Sequence, residues 1–423
     1  MRKLMRGVIK AHGKMKILII NTRHYPGGGD STYTFNLAEL LKQHGHEVSF
    51  FAMQDERNIP DPNADLFVSN IDFRELNKRK NLNTGIRVIA RSIYSFEAKK
   101  KFSLLIDRVK PDIIHLQNIH AHITPSVIME AKKQGLPVVW TLHDYKLICP
   151  NSHFLIDADS TICEACQGGR FYQAVIKSCK KNSFFASAAA SFEAYIHAFL
   201  RMRDLVDVFL TPSAFLRGKL LINGYQPEKV IHLPLFLPNE QFCQSEKDES
   251  YLLFLGKLET LKGIYQLLEA CRQAPDVHLV LAGRIEEPLK SLLPGLLPPN
   301  AVYVGLKQGD ELKRLRANAL ALILPSICYE NQPFSILEAF ASSKPVIASN
   351  LGGMKELVKD HEQGLLVEPR DPRSLASAMK WLVEHPVESH KWGYNAFQYA
   401  MTNHSPEIHY EKLEAIYKNC LLK

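Results

Sequence analysis

Two glutamates, Glu330 and Glu338, bracket the run Asn331-Gln332-Pro333-Phe334-Ser335-Ile336-Leu337. Pro333 suits the first turn of a helix, so Glu330 is expected in the loop before it and Glu338 about one turn inside. The two carboxylates can then face one cavity from two heights, with the amides of Phe334, Ser335 and Ile336 free beside them. A carboxylate accepts two hydroxyl hydrogen bonds in a fixed fork, which fits the paired hydroxyls of a sugar ring or a ribose. Glu338 stands between Leu337 and Ala339-Phe340, where a solvated side chain is not expected.

Other polar groups fall where strands end. Lys257 follows the apolar run Tyr251–Leu255, and Lys262-Gly263 comes five residues later. Two lysines at a loop leading into a helix suit a diphosphate, because each brings a mobile point charge to a group that gains negative charge as it leaves. His143 and Asp144 follow Val138–Thr141 and bring an imidazole and a carboxylate to a second mouth. Gly28 and Gly29, after the first strand, let backbone amides approach a phosphate or a sugar, with Asp30 or Ser31 as cap of a helix from Ser31 to His44.

These residues need a frame. Runs of buried type recur at Lys16–Ile20, Val48–Met53, Ile113–His115, Val138–Thr141 and Val208–Thr211, and again at Tyr251–Leu255, His278–Ala282, Ala319–Leu324 and Pro345–Ala348. Alternation of such strands with helical patterns predicts doubly wound parallel α/β sheets. In sheets of that kind ligands bind beyond the carboxyl ends of the strands, where the residues above lie. A length of 423 residues exceeds one core and predicts two domains. The Pro234–Pro238 run and the polar stretch Gln244–Ser250 place the boundary near 236–249. The expected layout is a tail at 1–14, a first domain at 15–240, a second at 248–400 and a final helix at 401–423 packing back on the first.

With these motifs in order, the chain resembles glycosyltransferase family 4. Glu330 to Glu338 matches the E-x7-E signature of retaining enzymes. Further matches are Pro26-x-Gly28-Gly29, Gly45-His46-Glu47-Val48, Thr141-x-His143-Asp144, Gly256-Lys257-Leu258 with Lys262-Gly263, Leu351-Gly352-Gly353 with Glu356-Leu357-Val358, and Gly364–Val367. The resemblance spans about residues 15–400 and implies the GT-B fold, two Rossmann-like domains facing each other across a cleft. It implies that Glu338 holds the donor ribose and Glu330 contacts the transferred sugar. Lys257 and Lys262 would bind the diphosphate with the amides of Phe334 to Ile336, Gly28 and Gly29, and His143 would touch the sugar and support the transition state, which makes His143 and Glu330 the implied catalytic residues. The leaving phosphate itself would draw the acceptor's proton, with no divalent metal required. The implied partners are a nucleotide-sugar donor and a glycan or lipid-linked acceptor of bacterial surface polysaccharide. Other readings are a disaccharide synthase or nucleotide-sugar epimerase of the same fold, and a non-catalytic sugar-nucleotide-binding subunit. Departures from the family pattern are the Asn331-Gln332-Pro333 loop, lysine in place of arginine at 257, and Asp30 in place of glutamate.

Cys149, Cys163, Cys166 and Cys179 form a C-x13-C-x2-C-x12-C pattern inside an insertion at about 149–180. That spacing can hold a structural zinc or an iron–sulfur cluster, or else reduced structural thiols or a redox-sensitive pair. The segment from Phe184 to Leu205 reads as an amphipathic helix with Phe185, Ala188, Phe192, Tyr195 and Phe199 on one stripe, expected to face the core. If it lay on a membrane instead, Arg201 and Arg203 would favour anionic lipid.

The net charge of +8 comes from one stretch, since Arg74 to Lys110 carries eleven Lys/Arg against three Asp/Glu. This is read as a solvated helical face, or as a basic surface for an anionic partner such as membrane phospholipid or a pyrophosphate-linked acceptor. No base-reading module accompanies it, which argues against nucleic acid. Absence of a long apolar run or a leader pattern predicts a cytoplasmic protein, peripheral on the membrane at most.

Overall fold

The computed structural model describes residues 13–70, 91, 93–120, 122–245 and 249–422. About half of the basic stretch from Arg74 to Lys110 (74–90 and 92), and most of the 1–14 tail, lie outside these residues. Two compact units form. The first holds Met1–Pro212, Leu216–Leu233 and Tyr410–Lys423; the second holds Ser213–Phe215 and Pro234–His409.

The strands of the first unit are β1 (Lys16–Ile20), β2 (Glu47–Phe51), β3 (Ile113–Leu116), β4 (Val138–Thr141), β5 (Leu155–Ile156), β6 (Thr161–Ile162), β7 (Val208–Thr211) and β8 (Val230–His232). Six of them form one sheet in the order β2-β1-β3-β4-β7-β8, parallel throughout. Ile17 to Ile20 and Ile113 to Leu116 are at most 1% exposed, which is why these strands read as unbroken apolar runs: both sheet faces are covered. The strand order reverses between β1 and β3, so residues after Ile20, Leu116 and Thr141 gather at one mouth.

The second unit repeats the plan with β9 (Tyr251–Leu255), β10 (His278–Ala282), β11 (Ala301–Tyr303), β12 (Ala321–Leu324), β13 (Val346–Ser349) and β14 (Gly364–Val367), all parallel in the order β11-β10-β9-β12-β13-β14. Here the order reverses between β9 and β12, with Leu322 paired to Leu253. The loops holding Lys257, Lys262 and Glu330 leave the carboxyl ends of these two strands.

Helix α1 is Gly29–Gln43, α2 is Phe184–Phe199, α3 is Phe334–Phe340 and α4 is Pro406–Leu422. The first unit is completed by the last residues of α4: Tyr417 Oη bonds His115 Nδ1 at 2.5 Å and Tyr410 Oη bonds His46 Nε2 at 2.9 Å. Between β4 and β7 the regular alternation breaks. A small antiparallel pair, β5-β6, and a short helix at Tyr172–Ile176 precede α2. Their small core is Cys166, Phe171, Ala174 and Cys179, with Ile156 and Ala194 against it.

Helix α2 corrects the sequence expectation. It ends at Phe199, and its aromatic stripe faces solvent: Phe185 is 82% exposed and Phe199 83%. The inward side carries Ser187, Ala190 and Ser191 and is fastened by hydrogen bonds, among them Ser191 Oγ to the Phe171 carbonyl at 2.7 Å.

Candidate active site

In the second unit the loop after β12 is held by close backbone approach. A methyl group on Gly353 would lie 1.7 Å from the Asn331 carbonyl oxygen, and the Gly353 amide donates to the Glu330 carbonyl at 2.8 Å. Gly263, at φ 74°, passes so near Pro325 that a methyl group there would lie 2.0 Å from the Pro325 carbonyl. Gly263 brings the Lys262 loop against the start of the Glu330 loop, and Gly353 brings the loop after β13 against Glu330 and Asn331.

The result is a tight polar cluster. Lys262 Nζ lies 2.5 Å from Glu330 Oε1, which also accepts from Ser326 Oγ at 2.9 Å. Burial works against the Lys262 ammonium, but Glu330 outweighs it and raises the lysine pKa. Lys257 is more exposed and pairs with Glu259 at 2.8 Å and Glu286 at 3.6 Å. The hydrogen bond it donates to Glu259 leads a rise in its pKa too.

Glu338 lies on α3 opposite Arg316, with Arg316 Nη1 3.5 Å from Glu338 Oε2. Arg316 is 2% exposed and is also bound to Ser342 Oγ at 2.7 Å and Gln241 Oε1 at 3.2 Å. Burial raises the Glu338 pKa despite Arg316 and lowers that of Arg316 despite Glu338. Desolvation therefore exceeds mutual attraction on both sides, and this carboxylate is under-solvated. Hydroxyl donors from a ligand would relieve it.

Two expectations are revised here. Pro333 is the cap of α3, not its first residue, and no side chain caps the helix. Of the three amides, Ile336 N bonds the Pro333 carbonyl at 3.2 Å, leaving those of Phe334 and Ser335 as the helix's unsatisfied donors. The residues of the loop that departs from the family pattern are tied down. Gln332 is buried and accepts from Leu235 N at 2.6 Å, and Asn331 Oδ1 accepts from Ser213 Oγ at 2.6 Å. Both act as ties beneath Glu330.

At the mouth of the first unit His143 Nε2 meets Gln117 Oε1 at 2.7 Å, and its ring lies 5.5 Å from that of Tyr33. Burial lowers the His143 pKa against the pull of Asp30 and Asp144, so the imidazole is neutral at pH 7 and donates to Gln117 from Nε2. Nδ1 then keeps its lone pair. Asp144 lies 3.6 Å from His120 Nε2; burial disfavours its charge, yet His120 and the Lys146 amide hold its pKa down to about 2. Gly28 caps α1 at φ 148° with no side-chain bond, and Asp30 falls in the first turn, 3.4 Å from Asn118 Nδ2, so neither Asp30 nor Ser31 is the cap.

The four cysteines of the insertion come within electrostatic reach of one another, and all are free thiols. Burial, then the neighbouring cysteines, push Cys166 up to about 12 and Cys179 up to about 11. Among the described residues no group of three or more His, Cys, Asp or Glu is disposed to hold a metal ion.

Arg316, Ser326 and Gln117 were not singled out from sequence. Arg316 hides in the basic run Lys313-Arg314-Leu315-Arg316, and the available signal was helical spacing: it stands four residues after Leu312 and three before buried Ala319.

Two parallel α/β units, the second with a lysine–carboxylate cluster at its switch point, define a glycosyltransferase of the GT-B fold. Residues 27–238 match Glycosyltransferase Family 4 and residues 239–399 match Glycosyl transferases group 1, and the chain belongs to this family. It is 27% identical to an uncharacterized glycosyltransferase of Methanocaldococcus jannaschii over 94% of both chains. It is 26% identical to an uncharacterized 42.6 kDa protein in the cps region of Klebsiella pneumoniae, over 81% of this chain and 87% of that one. The structure of Anabaena HepE in complex with UDP-glucose has the same fold, with TM-score 0.62 at 15% identity over 96% of this chain and 100% of that one. Among the described residues no helix is long and apolar enough to cross a membrane.

Proposed function

We propose that the protein is a retaining glycosyltransferase that moves a hexose from a nucleotide diphosphate sugar to a lipid-linked or glycan acceptor. The setting is bacterial surface polysaccharide synthesis (lipopolysaccharide, capsule or exopolysaccharide) at the cytoplasmic face of the membrane. The observation that carries this reading is the Lys262–Glu330–Ser326 cluster beyond β9 and β12, with under-solvated Glu338 in the same unit. The relative in a cps region supports the setting, and the UDP-glucose complex of HepE supports the donor class.

On this reading Glu338 receives the ribose hydroxyls and Glu330 a hydroxyl of the transferred sugar. Lys262 is held at the cluster by Glu330 until a diphosphate competes for it. As the sugar–phosphate bond breaks, charge grows on the leaving oxygen, and Lys262, Lys257 and the Phe334 and Ser335 amides meet it without metal. The acceptor hydroxyl attacks from the face of departure while its proton passes to that leaving oxygen. His143, neutral, offers Nδ1 to a sugar hydroxyl.

A thermal-shift screen across nucleotide sugars, followed by product analysis with the stabilising donor, tests the proposal. One donor should raise Tm and its sugar should appear on an acceptor with the anomeric configuration kept. An inverted product, or epimerised donor without acceptor, overturns it.

A further inference from the structure

Helix α2 is built inside out. Phe185, Phe192 and Phe199 recur every seventh residue, and Phe184 and Tyr195 lie beside them, so one side of the helix is a continuous aromatic band. All five are exposed, as are Tyr172 and Ile176 on the preceding short helix. The opposite side, facing the protein, is small or polar. Ser187 Oγ accepts from Lys180 N, Glu193 pairs with Lys146 at 2.8 Å, and His197 Nε2 bonds the Ile93 carbonyl at 3.0 Å. A helix in water does the reverse, and an apolar band of this extent marks an interaction surface.

The charges around the band identify the partner. Arg170, Lys177, Lys181, Arg201 and Arg203 are exposed along the same segment. Three acids near the band are paired, Glu193 with Lys146, Asp204 with Arg201, and Glu97 with Arg91 and Lys101, while Asp157 accepts from the Lys181 amide. Beside Phe192 and Ile196 opens an apolar groove of about 600 Å³ lined also by Ile93, Tyr94 and Phe96. Aromatic side chains framed by exposed cations suit the interface of an anionic bilayer, where rings lie at headgroup depth and lysine and arginine meet phosphate.

We infer that α2, with Tyr172 and Ile176, is the surface by which this protein docks on an anionic phospholipid bilayer. The surface deepens the proposed membrane setting of the reaction but is tested without any sugar. Phosphatidylcholine vesicles with and without phosphatidylglycerol are sedimented with the full chain. The parent should pellet with the anionic vesicles, and added salt should release it. The triple variant Phe185→Glu, Phe192→Glu, Phe199→Glu should bind at least about tenfold more weakly at unchanged Tm, since all three side chains are solvent-facing. Lys177→Gln with Lys181→Gln should bring binding to anionic vesicles toward the level on phosphatidylcholine alone.

A parent that stays in the supernatant overturns the inference, as does a triple variant that binds like the parent. So does a dimer seen by analytical ultracentrifugation that the triple variant dissociates, for then the band seats a second copy of the chain. Donor hydrolysis in the absence of vesicles should be equal in parent and variants. Hydrolysis lost in both with vesicle binding kept would sink the catalytic reading and leave the docking surface standing.

Discussion

The two strand-end mouths use the same scaffold and opposite electrostatics. In the second unit the polar groups are fixed charges in contact, Lys262 with Glu330 and Arg316 with Glu338. In the first unit the central group is an imidazole that burial keeps neutral, hydrogen-bonded to an amide. On the proposed function, charge is concentrated where a diphosphate would gain charge, and a neutral hydrogen-bonding group stands where it would not. The difference would then separate groups that meet the leaving charge from groups that contact the sugar, and each side of it can be broken.

The largest effect is expected at the Lys262–Glu330 pair. Lys262→Ala and Glu330→Gln should each lower kcat by about a hundredfold or more, with smaller changes in donor affinity. Steady-state kinetics with retained kcat in both variants would erase the contrast. Next comes Glu338→Ala, expected to weaken donor binding by about tenfold and cost about 2 to 3 kcal/mol of stability, because Arg316 is left buried without its counter-ion. Calorimetric binding and denaturant melts separate the two losses; an unchanged melt would mean that Ser342 and Gln241 satisfy Arg316 alone.

His143→Ala should reduce kcat by about tenfold and leave donor affinity unaltered, which confines its role to the first unit. Since its folded pKa lies below the unfolded value of 6.5, its burial favours the fold fully above pH 6.5 and ever less as pH falls below it. His143→Gln should therefore flatten the loss of stability between about pH 6.5 and pH 5, measured by urea unfolding. The smallest effect concerns the insertion. Cys166 and Cys179, with pKa values near 12 and 11, should alkylate far more slowly with iodoacetamide at pH 8 than in the unfolded chain. Fast labelling of the native protein, or zinc found by metal analysis near one equivalent, would show that the thiols are thiolates.

Much of this frame was legible because central parallel strands are apolar on both sides: Lys16–Ile20, Val138–Thr141, Val208–Thr211, Tyr251–Leu255 and His278–Ala282 form where the runs predict. Of the strands that escaped, β8, β11 and β14 lie at sheet edges, and β5 and β6 pair only with each other. An edge strand is short and shares its burial with solvent; in Ala301–Tyr303 the middle residue, Val302, is 50% exposed, and the apolar signal vanishes. At the site, Glu330, Glu338 and Lys262 stood out by position after strands. Arg316 did not, because a buried arginine and a solvated one look alike until the acceptors around them are known. The stripe on α2 was found correctly and assigned to the wrong side, since periodicity reports that a helix has two faces without saying which medium each one meets.

Tyr417 reaches His115 across three hundred residues of sequence, and with it the closing turns of α4 belong to the first unit. A ribosome making this chain releases β1 to β8 long before that tyrosine exists. The first unit is begun first and finished last, and until α4 emerges His115 waits in a half-built core for its hydrogen bond.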